Sequence, residues 1–333
     1  MLWPLAEHGL RPIPLRRRAS RPQLKRDPLG AVHTMGSQLV SISVTLSLTF
    51  AVAGLAQENS VTVGVLEWSQ CAADSPVTVT ARALFRHRGD QWIALTHPEA
   101  SEAVGRSQRA WVVAFDGRTL GSVLTMDTGF QSKYAENYTR DHVLPLVPHR
   151  SVPRVINADK AFEGWSSCMH RPARPLVLVS LPHFRDPQRW RPFQPDSSGR
   201  QALFGRFRAA VDTVVVCPNG DDKPAQVWRY GPSDLVFEKS YRDTLGHSLL
   251  ALRLKQPGNA CELTAGPEWS AQWFLAGHDT LYLASQLELV DAGDYDADGQ
   301  SEVLFWHSGY NEDGYTLFYD QCRKRVDYWW TYH

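Results

Sequence analysis

The chain lacks an excess of either charge: 35 Lys and Arg stand against 35 Asp and Glu in 333 residues. A general nucleic-acid binder needs a basic face to displace counterions from phosphates, so neutrality argues against that class. Basic residues gather only near the start, at Arg16, Arg17, Arg18, Arg21, Lys25 and Arg26. Short catalytic and nucleotide signatures are missing as well. There is no G-x-S-x-G elbow, no H-E-x-x-H, no P-loop and no G-x-G-x-x-G. The five cysteines, Cys71, Cys168, Cys217, Cys261 and Cys322, contain no C-x-x-C pair, which supports neither a zinc site nor a thioredoxin-like motif. An oxidising compartment would allow two disulfides and leave one thiol over, with buried free thiols as the alternative. Their long, irregular spacing does not select a pairing.

Apolar runs are short, with one exception. Leu39–Ala56 is uncharged and ends in Gly54-Leu55-Ala56, small residues at the positions a signal peptidase reads. The expectation is a signal peptide over 35–56, cleaved before Gln57, with a retained anchor or a cytoplasmic chain as the alternatives. Met35 directly precedes the run, so residues 1–34 are either a basic extension or untranslated. Either way the remainder, 57–333, is expected to be exported, to the periplasm or outside the cell, and free of the membrane after cleavage.

Residues 57–333 read as mainly β. Val61–Leu66, Val77–Phe85, Gln91–Leu95, Trp111–Phe115, Gly121–Thr125, Leu176–Leu181, Thr213–Cys217, Leu249–Leu254, Thr280–Ala284, Val303–Trp306 and Tyr315–Tyr319 are short runs rich in β-branched and aromatic residues. Turn residues separate them, and Asp116-Gly117 is a strong hairpin signal. Short antiparallel strands in hairpins predict a sandwich or a propeller-like fold. One helix is expected near 201–211, where Leu203, Phe204, Phe207, Ala210 and Val211 form a stripe capped by Ser197 or Ser198. The proline-rich stretch 181–196 reads as a long ordered loop and as a boundary between halves at 57–180 and 197–333. The twelve tryptophans are expected mostly in cores and on sheet faces, with a sugar-binding aromatic platform as the lesser alternative.

The chemistry lies in Asp294-Tyr-Asp296-Ala-Asp298-Gly299-Gln300-Ser-Glu302. Alternating carboxylates on a tight turn converge on one point, and Ca²⁺ takes six to eight hard oxygens at about 2.3–2.6 Å. Asp294, Asp296, Asp298, the Gln300 carbonyl and Glu302 are the expected ligands, with Gly299 permitting the turn. An EF-hand is excluded, because position twelve is Phe305 and Val303-Leu304-Phe305-Trp306 reads as a strand. The competing reading is a solvated acidic turn without metal. Over Leu287–Tyr319, about a tenth of the chain, the loop resembles the Asp-x-Asp-x-Asp-Gly-x-x-Asp hairpin of the FG-GAP and related repeats of integrin α-subunits and secreted bacterial proteins. That resemblance implies calcium held by the first, third, fifth and ninth side chains and the seventh carbonyl. This chain has Glu at the ninth place, a single copy, and no Phe-Gly…Gly-Ala-Pro portion.

Weaker features read as structure. Arg88-Gly89-Asp90 is a turn between strands, Asn311-Glu312-Asp313-Gly314 a hairpin turn, His307 a strand-end histidine, and Tyr328–His333 a final strand. Asn137-Tyr138-Thr139 is a glycosylation acceptor only in a eukaryotic secretory pathway. The functional expectation is an exported, calcium-stabilised, non-enzymatic module that binds a protein or glycan. The alternative is an exported hydrolase of polysaccharide or another polymer.

Overall fold

Alternation of β-branched and aromatic residues produces strands wherever one or both faces find a partner layer. The computed structural model describes residues 60–69, 78–95, 108–126, 143–144, 146, 152–153, 174–217, 224–255, 267–309 and 312–331. Expectations about the N-terminal extension, the signal peptide, Asn137, Cys71, Cys168 and Cys261 fall outside those residues. Among the described residues no helix is long and apolar enough to cross a membrane.

The first sheet holds β1 (Thr62–Ser69), β2 (Thr78–Arg88), β3 (Gln91–Ala94), β4 (Gln108–Phe115), β5 (Arg118–Met126), β6 (Val143–Leu144) and β7 (Leu176–Val179). Its order is β3-β2-β1-β7-β4-β5, with β6 beside β2. There follow β8 (Arg191–Pro192), α1 (Ser197–Ala210), β9 (Val214–Val216), β10 (Gln226–Trp228), β11 (Leu235–Arg242), β12 (Ser248–Leu254), β13 (Gln272–Ala276) and β14 (Thr280–Ser285). Of these, β14-β13-β12-β11-β8 form a five-stranded sheet and β9 pairs with β10. A four-stranded meander closes the described chain: β15 (Leu287–Gly293), β16 (Glu302–Gly309), β17 (Glu312–Tyr319) and β18 (Lys324–Thr331). All the pairings are antiparallel.

The meander is a middle layer. Leu304, Trp306, Tyr315, Leu317 and Tyr328 pack with the first sheet, while Val303, Phe305 and Phe318 pack with Trp273, Leu249 and Ala251 of the five-stranded sheet. Along β16 the side chains alternate strictly between the two cores, as the period of two requires. The far face of the five-stranded sheet is covered by Leu203 and Phe207 of α1, packed with Leu250, Leu252 and Phe274. The result is a mainly β, sandwich-like stack with one helix on its outer face. A buried polar clamp joins the first two layers. Arg82 holds Glu67 through Nε at 3.3 Å and Nη2 at 3.1 Å, and Tyr315 donates its hydroxyl to the same carboxylate at 2.7 Å.

Three local expectations need correction. The helix is capped by Asp196, whose carboxylate accepts the Gly199 N–H at 3.0 Å, and Ser198 instead donates to that carboxylate at 2.6 Å. A carboxylate accepts more strongly at a positive helix end than a hydroxyl does. The Ser198 and Gly199 donors hold the Asp196 carboxyl below its ordinary range. The helix also begins at Ser197, four residues before the expected start. Finally, Glu312, Asp313 and Gly314 lie inside β17, where Glu312 pairs with Gly309 of β16. Gly314 is there because β18 passes close, and a Cβ at 314 would approach Trp329 Cα to 2.6 Å. Gly314→Ala is therefore expected to lower stability by about 1–3 kcal/mol in urea denaturation, the range for overpacking. A near-neutral result would return Gly314 to a turn.

Candidate metal centre

The loop Asp294–Ser301 connects β15 to β16 and is shaped by its own carboxylates. Asp294 Oδ2 accepts the Gly299 N–H at 3.1 Å, Asp296 Oδ1 accepts the Asp298 N–H at 3.1 Å, and Glu302 Oε2 accepts the Tyr295 N–H at 2.7 Å. Ala297 and Gly299 take left-handed backbone, with φ of 66° and 91°. Each acid thus commits one oxygen to shaping the turn.

Ligand atoms of Asp294, Asp296 and Glu302 lie within 4.8 Å of one another. Two oxygens about 2.4 Å from one calcium ion can be at most about 4.8 Å apart, so the spacing fits a single ion. Asp294 Oδ1 is buried without a hydrogen-bond partner, as is Gln300 Oε1. A buried carboxylate oxygen without a donor is costly, and a cation would satisfy it. Burial, then the neighbouring acids, raise the Asp294, Asp296 and Glu302 carboxyls above their ordinary range, Glu302 furthest. Asp298 stands apart from this trio. It is exposed, and its Oδ1 accepts the Gln300 N–H at 2.7 Å. Tyr295 is fully buried and stacked on Phe184 with ring centroids 5.5 Å apart, and Asp291 and Glu302 add to burial in raising its hydroxyl well above the ordinary range.

Two supports come from far along the chain and had no local signal. The end of β2 brings His87 Nε2 to 3.3 Å from Asp296 Oδ2, beside the exposed Arg88-Gly89-Asp90 turn. The other is the strap 184–190. Arg185 accepts the Asp294 N–H at 3.0 Å through its carbonyl. Asp186 accepts from Gln188 N at 3.0 Å, Trp190 N at 2.9 Å and Ser301 Oγ at 2.7 Å, while its own N–H donates to Gly117 O at 3.2 Å. A Cβ at 117 would meet Asp186 Cβ at 2.6 Å, so Gly117 permits this approach. The Asp116-Gly117 hairpin tip is thus a docking point. Asp116 pairs with Arg174 at 2.8 Å, and the Gly117 N–H donates to Asp291 Oδ1 at 3.3 Å. His307 has a structural place, with Nε2 3.0 Å from Glu312 Oε1 and its ring 4.1 Å from Trp329. Cys322 is a buried free thiol, and Cys217 is disulfide-bonded to a partner outside the described residues.

Comparison with known families, characterised proteins and solved structures gave no match. The site's meaning therefore rests on its geometry.

Removing the Asp186 carboxylate would strand two backbone N–H groups and a buried hydroxyl. Asp186→Ala is expected to cost about 2–5 kcal/mol in urea denaturation, and less than about 1 kcal/mol would deny the strap this role. Asp291 gives a pH signature. Burial, opposed by Arg174 and assisted by Asp116, pushes its carboxyl from 3.8 up to about 7. Arg174 lies nearer to Asp116, at 2.8 Å, than to Asp291, at 3.9 Å, so Asp291 is less fully compensated and its protonated form is favoured below about pH 7. Between pH values of about 4 and about 7 the folded chain holds a proton that the unfolded chain releases, so stability falls as pH rises, by up to about 4 kcal/mol. Asp291→Asn is expected to flatten that part of the slope relative to wild type in the same buffers. Parallel curves would remove Asp291 as its source.

Proposed function

We propose that the protein is an exported, calcium-stabilised β-rich module with a binding or structural role, and that Asp294–Glu302 is a single FG-GAP-like calcium hairpin. The observation that carries this reading is the trio Asp294, Asp296 and Glu302, gathered within 4.8 Å and including a buried carboxylate oxygen with no donor. Three protein carboxylates leave positions for water and for backbone or amide oxygens such as those of Gln300. The ion would neutralise an acidic knot between two layers, so its binding energy becomes stability of the hairpin. The gain is about 2.7 kcal/mol at a hundredfold excess over the dissociation constant.

Export is supported by the apolar run Leu39–Ala56 and by the disulfide at Cys217, since disulfides persist in oxidising compartments. Extracellular calcium also fills a weak site that cytosolic calcium leaves empty. A non-catalytic role is favoured by the fate of Asp116 and Asp291, which are buried between layers beside Arg174. A glycosidase needs two carboxyl groups opposed across an open site.

Calorimetric titration of the purified protein with calcium is expected to show one site, with a rise in melting temperature at millimolar ion. Asp294→Asn and Glu302→Gln should each weaken binding at least about tenfold, about 1.4 kcal/mol. Asp298→Asn should weaken it less. Absence of heat and of any melting shift at millimolar calcium sinks the proposal.

A further inference from the structure

Beside the acidic loop, on the other side of the start of β16, three hairpin turns and the strap converge on a cavity of about 330 Å³. This lies within the range of small-molecule sites, which cluster at seams between packed layers. The turns are those joining β11 to β12, β13 to β14, and β17 to β18. Two chemical groups stand out in the lining. Trp190, Leu275, Leu281 and Val303 give apolar wall, and His247 and Arg323 give donors or positive charge.

His247 is held in place with unusual care. Its Nδ1 is 2.7 Å from Asp243 Oδ2, while Asp243 Oδ1 accepts the N–H groups of Leu245 at 2.9 Å and His247 at 2.7 Å. The Asp243 side chain is fully buried. Nδ1 therefore faces its carboxylate and Nε2 is the nitrogen left for a ligand. Gly277 makes room for the ring, since a Cβ there would meet His247 Cδ2 at 2.7 Å. Arg323 makes no ion pair among the described residues. The indole Nε1 of Trp190, a cavity-lining residue, is a buried donor with no acceptor.

The backbone is strained around this cavity. Asp320, Gln321 and Cys322 are consecutive left-handed residues with φ of 53°, 55° and 60°, and Arg189 in the strap has φ of 54°. Those are four of the seven described non-glycine residues with positive φ. Each costs on the order of 1 kcal/mol, and such strain gathers where a site is held in a fixed shape. The Cys322 thiol serves as wall: burial pushes it up to about 12, which removes thiolate chemistry. The only carboxylate of the lining, Asp279, is exposed and sits 3.5 Å from His278.

We propose that this cavity binds a small organic carboxylate, its charged head between Arg323 and His247 and its apolar body against Trp190, Leu275 and Leu281. An anion fits because Arg323 makes no ion pair among the described residues, the Trp190 indole N–H has no acceptor, and no buried acid is among the lining residues to receive a cation. A partly apolar anion fits because Trp190, Leu275, Leu281 and Val303 give the wall an apolar part, beside polar groups such as Gln188, Ser301 and Gln321. The proposal rests on the binding role argued above and names its ligand class.

The test is calorimetric titration of the full chain with benzoate and hexanoate, and with benzamide as a neutral control, each up to about 20 mM in millimolar calcium. At least one carboxylate is expected to bind in the millimolar range or tighter, and benzamide at least about tenfold more weakly than benzoate. Arg323→Gln should abolish that preference while keeping the calcium-induced rise in melting temperature, which shows the variant folded. Gly277→Ala, which displaces His247, should weaken the same carboxylate. The proposal is overturned if neither carboxylate binds, if benzamide matches benzoate, or if Arg323→Gln binds both as wild type does. A chain that binds benzoate but gives no calcium response sinks the ion reading and leaves the cavity standing.

Discussion

A buried carboxylate surrounded by donors fixes geometry more tightly than an apolar contact, because each donor left over would be costly to bury. Asp186 plays that part here. Its oxygens take Gln188 N, Trp190 N and Ser301 Oγ, and its own N–H goes to Gly117 O. One residue, through its side chain and its backbone N–H, thereby ties the tip of the β4–β5 hairpin, the acidic loop and the wall of the cavity to a common point. The neighbouring carbonyl of Arg185 adds the start of the acidic loop through Asp294 N. The strap that looks irregular in sequence is thus where three elements far apart in the chain are brought into register.

The second constraint is the two-sided burial of the meander. Strands packed on both faces, as β16 and β17 largely are, read as near-continuous apolar runs, while β18 keeps exposed, polar positions. Within such a sheet an acidic turn is conspicuous: burial raises the Asp294, Asp296 and Glu302 carboxyls there. The loop answers with backbone donors for one oxygen of each acid in the trio. The orphaned Asp294 Oδ1 remains, and that single oxygen is the strongest physical argument for a cation.

Much of this was legible from local pattern. The strands around Val303–Trp306 and Trp111–Phe115, the Asp116-Gly117 turn and the helix on Leu203, Phe204 and Phe207 follow from periods of 2 and 3.6 and from turn chemistry. Strand β11, Leu-Val-Phe-Glu-Lys-Ser-Tyr-Arg, escaped notice because its alternation is broken by a register shift between Phe237 and Lys239. Asp313-Gly314 misled because the dipeptide favours turns, whereas the close passage of β18 also demands a glycine there. In the acidic loop, spacing pointed to Asp294, Asp296, Asp298, Gln300 and Glu302, of which the fold gathers Asp294, Asp296 and Glu302. It could not foretell that Asp298 would turn outward onto the Gln300 N–H. The pairings Asp186–Ser301, His87–Asp296 and Asp116–Arg174 span tens to more than a hundred residues, and no local window carries them. The cavity was invisible for the same reason, being assembled from turns between about 186 and 323.

The acidic trio and the cavity lie on opposite sides of one short stretch of backbone. Successive strand residues face opposite sides, so Ser301 and Val303 line the cavity while Glu302 between them turns to Asp294 and Asp296. A slip of one residue in β16 would put the carboxylate among the cavity's apolar and cationic groups and a valine among the acids. Both cores also depend on that register, since Val303 and Phe305 serve one and Leu304 and Trp306 the other. Packing energy on two faces therefore holds apart the acidic trio and the proposed anion cavity within one residue's reach. The pairing of Glu302 with Gly293 and the bond from Ser301 to Asp186 fix the place where they divide.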